Sequence, residues 1–299
     1  MTADPRQALY VSDLDGTLLR SDGSLSPYSL RTITRLIHEG MLFTVASARG
    51  CNLIRTAIGD LPLRLPVIDQ NGACVSELAS RRHLVIHAID PPVARDLWSL
   101  LDEHGCNPFL MTVDGASDRV YYDESVLHND GMRRFLENRQ RIRDPRLRKL
   151  EDMRDGLADQ VVCLTVIGAP SRMQDVECAV RARHDGSVQT HRYEPFNEGL
   201  DSRWHMLTIH DSRATKDRGV ASLTRLLNIA DCRVVVFGDQ VNDIGMFRAA
   251  DEAYAVAGAA PELAEHATAV IGSNDDDAVA RWLEHRWQIR ADPLEPNSG

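Results

Sequence analysis

Two carboxylates one residue apart, Asp13 and Asp15, close an apolar run in "ALYVSDLDGTLL" (residues 8–19). Like charges that close repel, and one of them loses its ionisation unless something positive sits between them. The pattern of an apolar run ending in polar groups recurs. Ser47 follows "MLFTVA" (41–46), Asn71 and Gly72 follow "LPVID" (65–69) closely, and Asp239, Asn242 and Asp243 follow "RVVVFG" (233–238). Acids, a hydroxyl and amides at successive strand ends describe an oxygen-lined site. The positive partner that suits it is a hard divalent cation. Mg²⁺ takes oxygen ligands, few protein carboxylates and a phosphate to complete its shell. Ser47 can donate a hydroxyl to that phosphate. Backbone N–H groups after Asp13 and at the helix start after Ser47 can point at an anion. Lys216, in "DSRATKDRGVASL" (211–223), opens a helix, where its charge opposes the helix dipole. A bound anion and a carboxylate beside it resolve that conflict.

The chemistry of such a set is phosphoryl transfer. A carboxylate beside the cation attacks phosphorus in line and forms an aspartyl-phosphate. The other acid protonates the leaving alcohol and then deprotonates the water that breaks the intermediate. This division assigns Asp13 as nucleophile and Asp15 as acid/base, although the spacing alone allows the reverse.

Positioning these groups needs parallel strands whose carboxyl ends share one rim. The first third of the chain alternates strand and helix. Residues 9–13 read as a strand, 27–40 as an amphipathic helix, 41–47 as a strand, 52–60 as a short helix and 65–73 as a strand running into a turn. The last third repeats the rhythm, with strands at 233–239, 253–258 and 269–273 and helices at 243–250, 261–267 and 276–286. Near-continuous apolar strands alternating with helices predict an α/β fold with a doubly wound, mostly parallel sheet covered on both faces. Between about 84 and 210 the rhythm loosens. Helices are expected at 92–105 and 171–183, and extended segments at 107–113, 118–124, 160–168 and 203–210. This middle part reads as a second, α+β domain inserted into the first: residues 1–83 and 211–299 form the core, and 84–210 the insertion.

The chain has 299 residues, 43% hydrophobic and 26% charged, with a formal net charge of −10. That describes a globular protein with ample core. The acidic balance opposes nonspecific nucleic-acid binding but not a small anionic substrate. No stretch approaches a membrane span, and "MTADPRQ" lacks the layout of a secretory signal, so the expected location is the cytosol. The six cysteines contain no Cys-x-x-Cys pair and are expected to be reduced and mostly buried. The expected partner is a small phosphorylated metabolite, with no nucleic acid and no membrane, for a monomer or homodimer. Residues 290–299 read as a loose tail.

These residues together resemble the haloacid dehalogenase superfamily. "DLDGTLL" (13–19) is similar to its Asp-x-Asp-Gly-Thr motif, Ser47 in "TVASAR" to its second, Lys216 to its third, and "GDQVNDIGMF" (238–247) to its fourth. "QNGA" (70–73) and "SNDDDAVARWLE" (273–284) resemble the Cof-type branch, whose large cap lies between the second and third motifs. The resemblance implies a Rossmann-like core and a Mg²⁺-dependent phosphatase, often acting on sugar phosphates or related phosphomonoesters. It implies Asp13 as nucleophile and metal ligand, and Asp15 as acid/base with its carbonyl on the metal. Asp239 becomes a further ligand, with Thr17 and Asp243 supporting the ligands from behind. Leu14 (through its N–H), Ser47, Ala48, Lys216 and Asn242 would hold phosphate. Two departures stand out: Ala48 replaces a frequent Gly, and Asp217 follows Lys216 where Gly is common.

Other features have plainer readings. Asp243 is expected at a helix start, and "NDDD" (274–277) as a helix cap with favourable first-turn charge. His83 and His87 are four apart, but "HLVIHAI" reads as strand, so no zinc pair is expected, and no histidine is assigned to a metal. The basic stretch 132–149 reads as a solvated helix face, with closure of one or two arginines over substrate as the alternative. Competing functions on the same fold are a phosphomutase, a mannosylphosphoglycerate-type phosphatase and a non-catalytic phospholigand sensor. Residues 123–130 and 191–205 are candidate specificity loops.

Overall fold

The computed structural model describes residues 7–114, 117–193 and 203–288. The expected tail and most of the candidate loop 191–205 lie outside the described residues. The chain divides into two compact units, residues 1–85 with 215–299, and residues 86–214.

Numbered along the chain, the elements are β1 (Ala8–Ser12), α1 (Pro27–His38), β2 (Leu42–Val45), α2 (Cys51–Ile58), β3 (Val67–Asp69), β4 (Cys74–Glu77) and β5 (Arg82–Ile86). The middle unit follows with α3 (Pro91–Glu103), β6 (Phe109–Asp114), β7 (Ser117–Tyr122), α4 (Asp130–Arg141), β8 (Leu147–Lys149), β9 (Gln160–Gly168), α5 (Pro170–Arg183), β10 (Val188–Tyr193) and β11 (His205–Asp211). The chain then returns through α6 (Lys216–Leu226), β12 (Arg233–Gly238), α7 (Ile244–Ala249), β13 (Glu252–Ala255), α8 (Pro261–Ala264), β14 (Ala269–Val270) and α9 (Ala278–Gln288).

The first unit is built on the expected parallel sheet, in the order β14-β13-β12-β1-β2. A parallel bridge between Ala46 and Ile68 links its β2 edge to β3. Alternation along each strand separates two apolar layers. Tyr10, Phe43, Val235 and Phe237 face α1 and α9, with Ile33, Leu36 and Leu283. Leu9, Val11 and Val236 face α6 and α7, with Val220, Leu223, Met246 and Phe247. Both faces are covered, so the central strands carry continuous apolar runs, Ala8 to Val11 in β1 and Val234 to Phe237 in β12. β1 lies between β2, which follows it, and β12, which comes after the insertion. The chain winds away in both directions from that point, and sheets of this kind bind ligands beyond the strand ends there.

The second unit is a mixed sheet, β10-β11-β9-β6-β7-β8, in which, among the described residues, β7 and β8 alone pair in parallel. Leu110, Leu164, Val166 and Leu207 pack on α3 and α5. Phe109 and Ile167 pack on the other side against Met132, Phe135 and Leu136 of α4. The basic stretch is more than a solvated face. Arg139 lies buried with its guanidinium 3.3 Å from the centre of the Phe135 ring, and Arg146 is buried in a bidentate pair with Asp144. An arginine stacked on an aromatic ring, or matched to a carboxylate, is buried at low cost.

His210 is buried in this unit, its Nδ1 3.1 Å from the Val162 carbonyl. Burial, aided by His191, pushes its pKa down from 6.5 to about 3. The folded chain therefore leaves His210 neutral while the unfolded chain protonates it below 6.5. Stability falls as pH drops through that window, by about 2 kcal/mol between pH 7 and pH 5 for this residue. Denaturant unfolding of wild type and His210→Asn at both pH values should show that part of the acid loss vanish in the variant.

Candidate active site

β1 and β12 place the central acids. Their register pairs Ser12 with Phe237, and the Asp13 N–H donates to the Phe237 carbonyl at 2.9 Å. The next residue on each strand therefore stands just past the paired strand ends: Asp13 from β1, and Asp239 after Gly238 from β12. The Asp13, Asp239 and Asp243 carboxylates lie within 4.8 Å of one another, and all three residues are buried. Lys216, 1% exposed, bridges two of them, with Nζ 2.5 Å from Asp13 Oδ1 and 2.6 Å from Asp243 Oδ1. Thr215 caps α6 by accepting the Arg218 N–H, which fixes the first turn that carries Lys216.

The remaining contacts orient these groups. The Thr17 hydroxyl donates to Asp239 Oδ1 at 2.8 Å, and Gln240 Nε2 to its Oδ2 at 3.1 Å. Asp243 Oδ2 accepts the N–H groups of Asp239 and Gln240 at 3.1 and 3.2 Å, so it pins the loop that presents Asp239. Gly16 has a φ of +77°, and a Cβ there would overlap the Asp239 carboxylate. That close approach explains the glycine after the paired acids.

Electrostatics show a shortage of positive charge. Burial, only partly offset by Lys216 and reinforced by Asp243 and Asp239, holds Asp13 well above the usual carboxylate range. Burial also raises Asp239, against the Thr17 hydrogen bond. Burial alone would lower Lys216, but Asp13 and Asp243 outweigh it and hold the ammonium above its ordinary value. Three buried carboxylates around one ammonium, all offering oxygen, suit a hard divalent ion such as Mg²⁺.

The phosphate-site candidates lie on neighbouring strand ends. Ser47 is fully buried, its N–H donating to the Ile68 carbonyl and its Oγ accepting the Arg49 N–H at 3.1 Å. Among the described residues no acceptor takes the hydroxyl proton, which suits a hydroxyl that donates to a ligand. Ala48 is exposed, and Leu14 is buried in the turn after Asp13. Asn242 donates through Nδ2 to Asn71 Oδ1 at 3.0 Å. Asp15 stands outside the carboxylate cluster. Its carboxylate forms a two-pronged pair with Arg49, at 2.8 and 2.6 Å.

A family model described as haloacid dehalogenase-like hydrolase matches residues 10–283. The chain belongs to that family. It sits in the Cof-type branch. Among curated relatives, it is 23% identical to a 5-amino-6-(5-phospho-D-ribitylamino)uracil phosphatase of Bacillus subtilis, over 94% of this chain and 98% of the relative. It is 26% identical to a pyridoxal phosphate phosphatase of Escherichia coli, over 91% and 95%. A solved structure from Thermotoga maritima superposes with a TM-score of 0.71 at 21% identity, covering 96% of this chain and 99% of the other. A HAD/COF-like hydrolase from Plasmodium vivax gives 0.71 at 21%, over 93% and 94%.

In this hydrolase, one supporting residue escaped the sequence reading. Arg49 lies two positions after Ser47 and needed only the question of what pairs with Asp15. Asn71 carries a φ of +57°, between Gln70 at +50° and Gly72 at +92°. A Cβ on Gly72 would overlap the Thr215 carbonyl, next to Lys216. Gly72→Ala therefore meets backbone as well as an unfavourable φ, and a loss of more than about 2 kcal/mol is expected in denaturant unfolding.

The acidic run 274–277 does more than cap a helix. Asp275 accepts from Ser21 at its N–H and hydroxyl, and Asp277 accepts from Arg20 and Ser29. These contacts fasten the segment after the Asp13 turn to the start of α9.

Proposed function

We propose that this hydrolase cleaves small phosphomonoesters, of the sugar-phosphate kind, through a phosphorylated Asp13. The observation that carries the reading is the buried Lys216 held between Asp13 and Asp243 at the end of the central strand. A lysine there offsets part of the protonation that burial favours at the nucleophile, and it leaves positive charge beside the place where a phosphate oxygen arrives.

Asp13, Asp239 and the Asp15 main-chain carbonyl would hold Mg²⁺. When bound, the ion would neutralise phosphate charge and the acidic cluster together. Asp13 adds through a carboxylate oxygen to phosphorus, and the ester P–O bond breaks. Asp15 gives its proton to the departing alkoxide. The Asp15 carboxylate then takes a proton from the water that attacks phosphorus, which frees phosphate and restores Asp13. Arg49 holds Asp15 in reach and must loosen its grip when that carboxyl carries the proton. Ser47, Asn242 and the N–H groups of Leu14 and Ala48 bind phosphate oxygens, and Asp243 fixes Lys216.

The insertion, residues 84–210, is assigned the choice of leaving group. Relatives whose names state a substrate are phosphatases of 5-amino-6-(5-phospho-D-ribitylamino)uracil and of pyridoxal phosphate, both small phosphomonoesters. Among the described residues no helix is long and apolar enough to cross a membrane. The test is phosphate release from a panel of hexose phosphates, pyridoxal phosphate, phosphoglycolate, nucleotides and mannosylphosphoglycerate, with Mg²⁺ or with EDTA. Metal-dependent release from at least one compound is expected. Release that EDTA leaves intact would reject the metal assignment, and isomerisation without free phosphate would favour a mutase.

A further inference from the structure

A second group of potential ligands lies in the small sheet β3-β4-β5. Asp69, Cys74 and His83 bring a carboxylate oxygen, a sulfur and an imidazole nitrogen within 4.8 Å of one another. We propose that these three residues form a second metal site, for a borderline-soft ion of the Zn²⁺ class.

Strand pairing assembles it. β3 and β4 run antiparallel with Asp69 opposite Cys74, Ile68 opposite Val75 and Val67 opposite Ser76. Side chains alternate between faces, so Asp69, Cys74 and Ser76 share one face, and Ile68 and Val75 take the other, inside the apolar layer beneath α6. β5 brings His83 to the polar face. Asp69, Cys74 and Ser76 are fully buried, and His83 is 9% exposed. A stripe of four polar side chains in a sheet interior is costly unless its members are satisfied.

The surrounding hydrogen bonds arrange the donors as a metal needs them. The Ser76 hydroxyl donates its one proton to Asp69 Oδ1 at 2.8 Å. His83 Nδ1, 2.8 Å from the same hydroxyl oxygen, is then the donor of that pair. A neutral ring with its proton on Nδ1 carries its ligating lone pair on Nε2. Asp69 Oδ2 accepts the Cys51 N–H at 3.0 Å, which fixes the carboxylate. A thiolate, an imidazole and a carboxylate select Zn²⁺ over Mg²⁺, in contrast to the all-oxygen cluster around Asp13. Binding converts the Cys74 thiol to thiolate and releases its proton to solvent.

The site would tie three strands together. It would also reach α2, because Asp69 holds the first N–H of the helix that follows Ser47. The spacing along the chain conceals it, since four residues lie between Asp69 and Cys74 and eight between Cys74 and His83.

The test is Co²⁺ titration of EDTA-stripped full-length protein in excess Mg²⁺, which keeps the carboxylate cluster occupied. A sulfur-to-cobalt charge-transfer band that saturates near one equivalent is expected. Zn²⁺ should displace it, Cys74→Ser should abolish it, and His83→Gln should weaken binding about tenfold or more. Asp239→Asn should leave the band in place. Absence of the band in wild type would overturn the proposal whether or not the variants fold. So would a band that survives Cys74→Ser, or one with undiminished affinity in His83→Gln.

Discussion

Asp13→Asn should lower kcat by about 10⁴-fold or more while substrate affinity stays within about tenfold, because the substitution removes the attacking oxygen and keeps the shape. Single-turnover phosphate release measures the first quantity, and equilibrium binding to the variant measures the second. The same change should leave the fold intact. In the folded chain burial raises the Asp13 pKa, so between the ordinary carboxylate value and that raised value the folded state binds more protons than the unfolded state. Metal-free stability therefore falls as pH rises through that window, and asparagine removes Asp13's share of the fall. Denaturation in EDTA at pH 5 and pH 8 should show a shallower decline for the variant. A decline as steep as that of wild type would place the burden on Asp239, which burial raises in the same direction.

Lys216→Met should be the most destabilising single change near the site. The lysine is buried, and its ammonium has Asp13 and Asp243 as partners at 2.5 and 2.6 Å. Methionine keeps much of the volume and strands two buried carboxylates. Removing one partner of a buried ion pair costs about 3–5 kcal/mol. The deficit should shrink as pH falls, because protonation relieves the stranded acids. It should also be smaller than additive in Lys216→Met/Asp243→Asn, where one orphaned charge is gone. Activity should drop by about 10²–10³-fold even where the variant is folded, since an oriented positive group beside the reacting phosphate is lost. Unfolding curves for the two single variants and the double variant, at two pH values, separate these effects.

The core was legible because its strands are buried on both faces. "LYVS" and "VVVFG" are continuous apolar runs, and their ends fall where polar residues begin. Reading residues off strand ends therefore found Asp13, Ser47 and Asp239 without any contact map. Lys216 was legible through its discord with the helix dipole. Asp243 was read as a helix-start residue, and it does cap that turn. Its contact with Lys216 depends on α6 and the β12 loop meeting, which no linear spacing encodes.

What stayed hidden depends on pairing. β4 and β10 went unseen because "CVSE" and "VQTHRY" are short and half polar, and their extended form comes from the partner strand. Arg139 and Arg146 looked like surface charge, because an aromatic ring and a carboxylate that bury arginine are recognised only in three dimensions. Arg49 and the Asp69–Cys74–His83 group share that cause: their partners lie 34 residues away in one case and across a hairpin in the other.

The central claim, that Asp13 carries the phosphoryl group, has a direct measurement. Enzyme in excess is mixed with its best substrate, stopped within one turnover and reduced with borohydride, which converts an aspartyl-phosphate to homoserine. Peptide mass spectrometry of residues 7–20 then locates the change. Homoserine at position 13, absent without substrate, is the predicted result. Homoserine at position 15, or phosphate release with both aspartates unmodified at every quench time, would contradict the account.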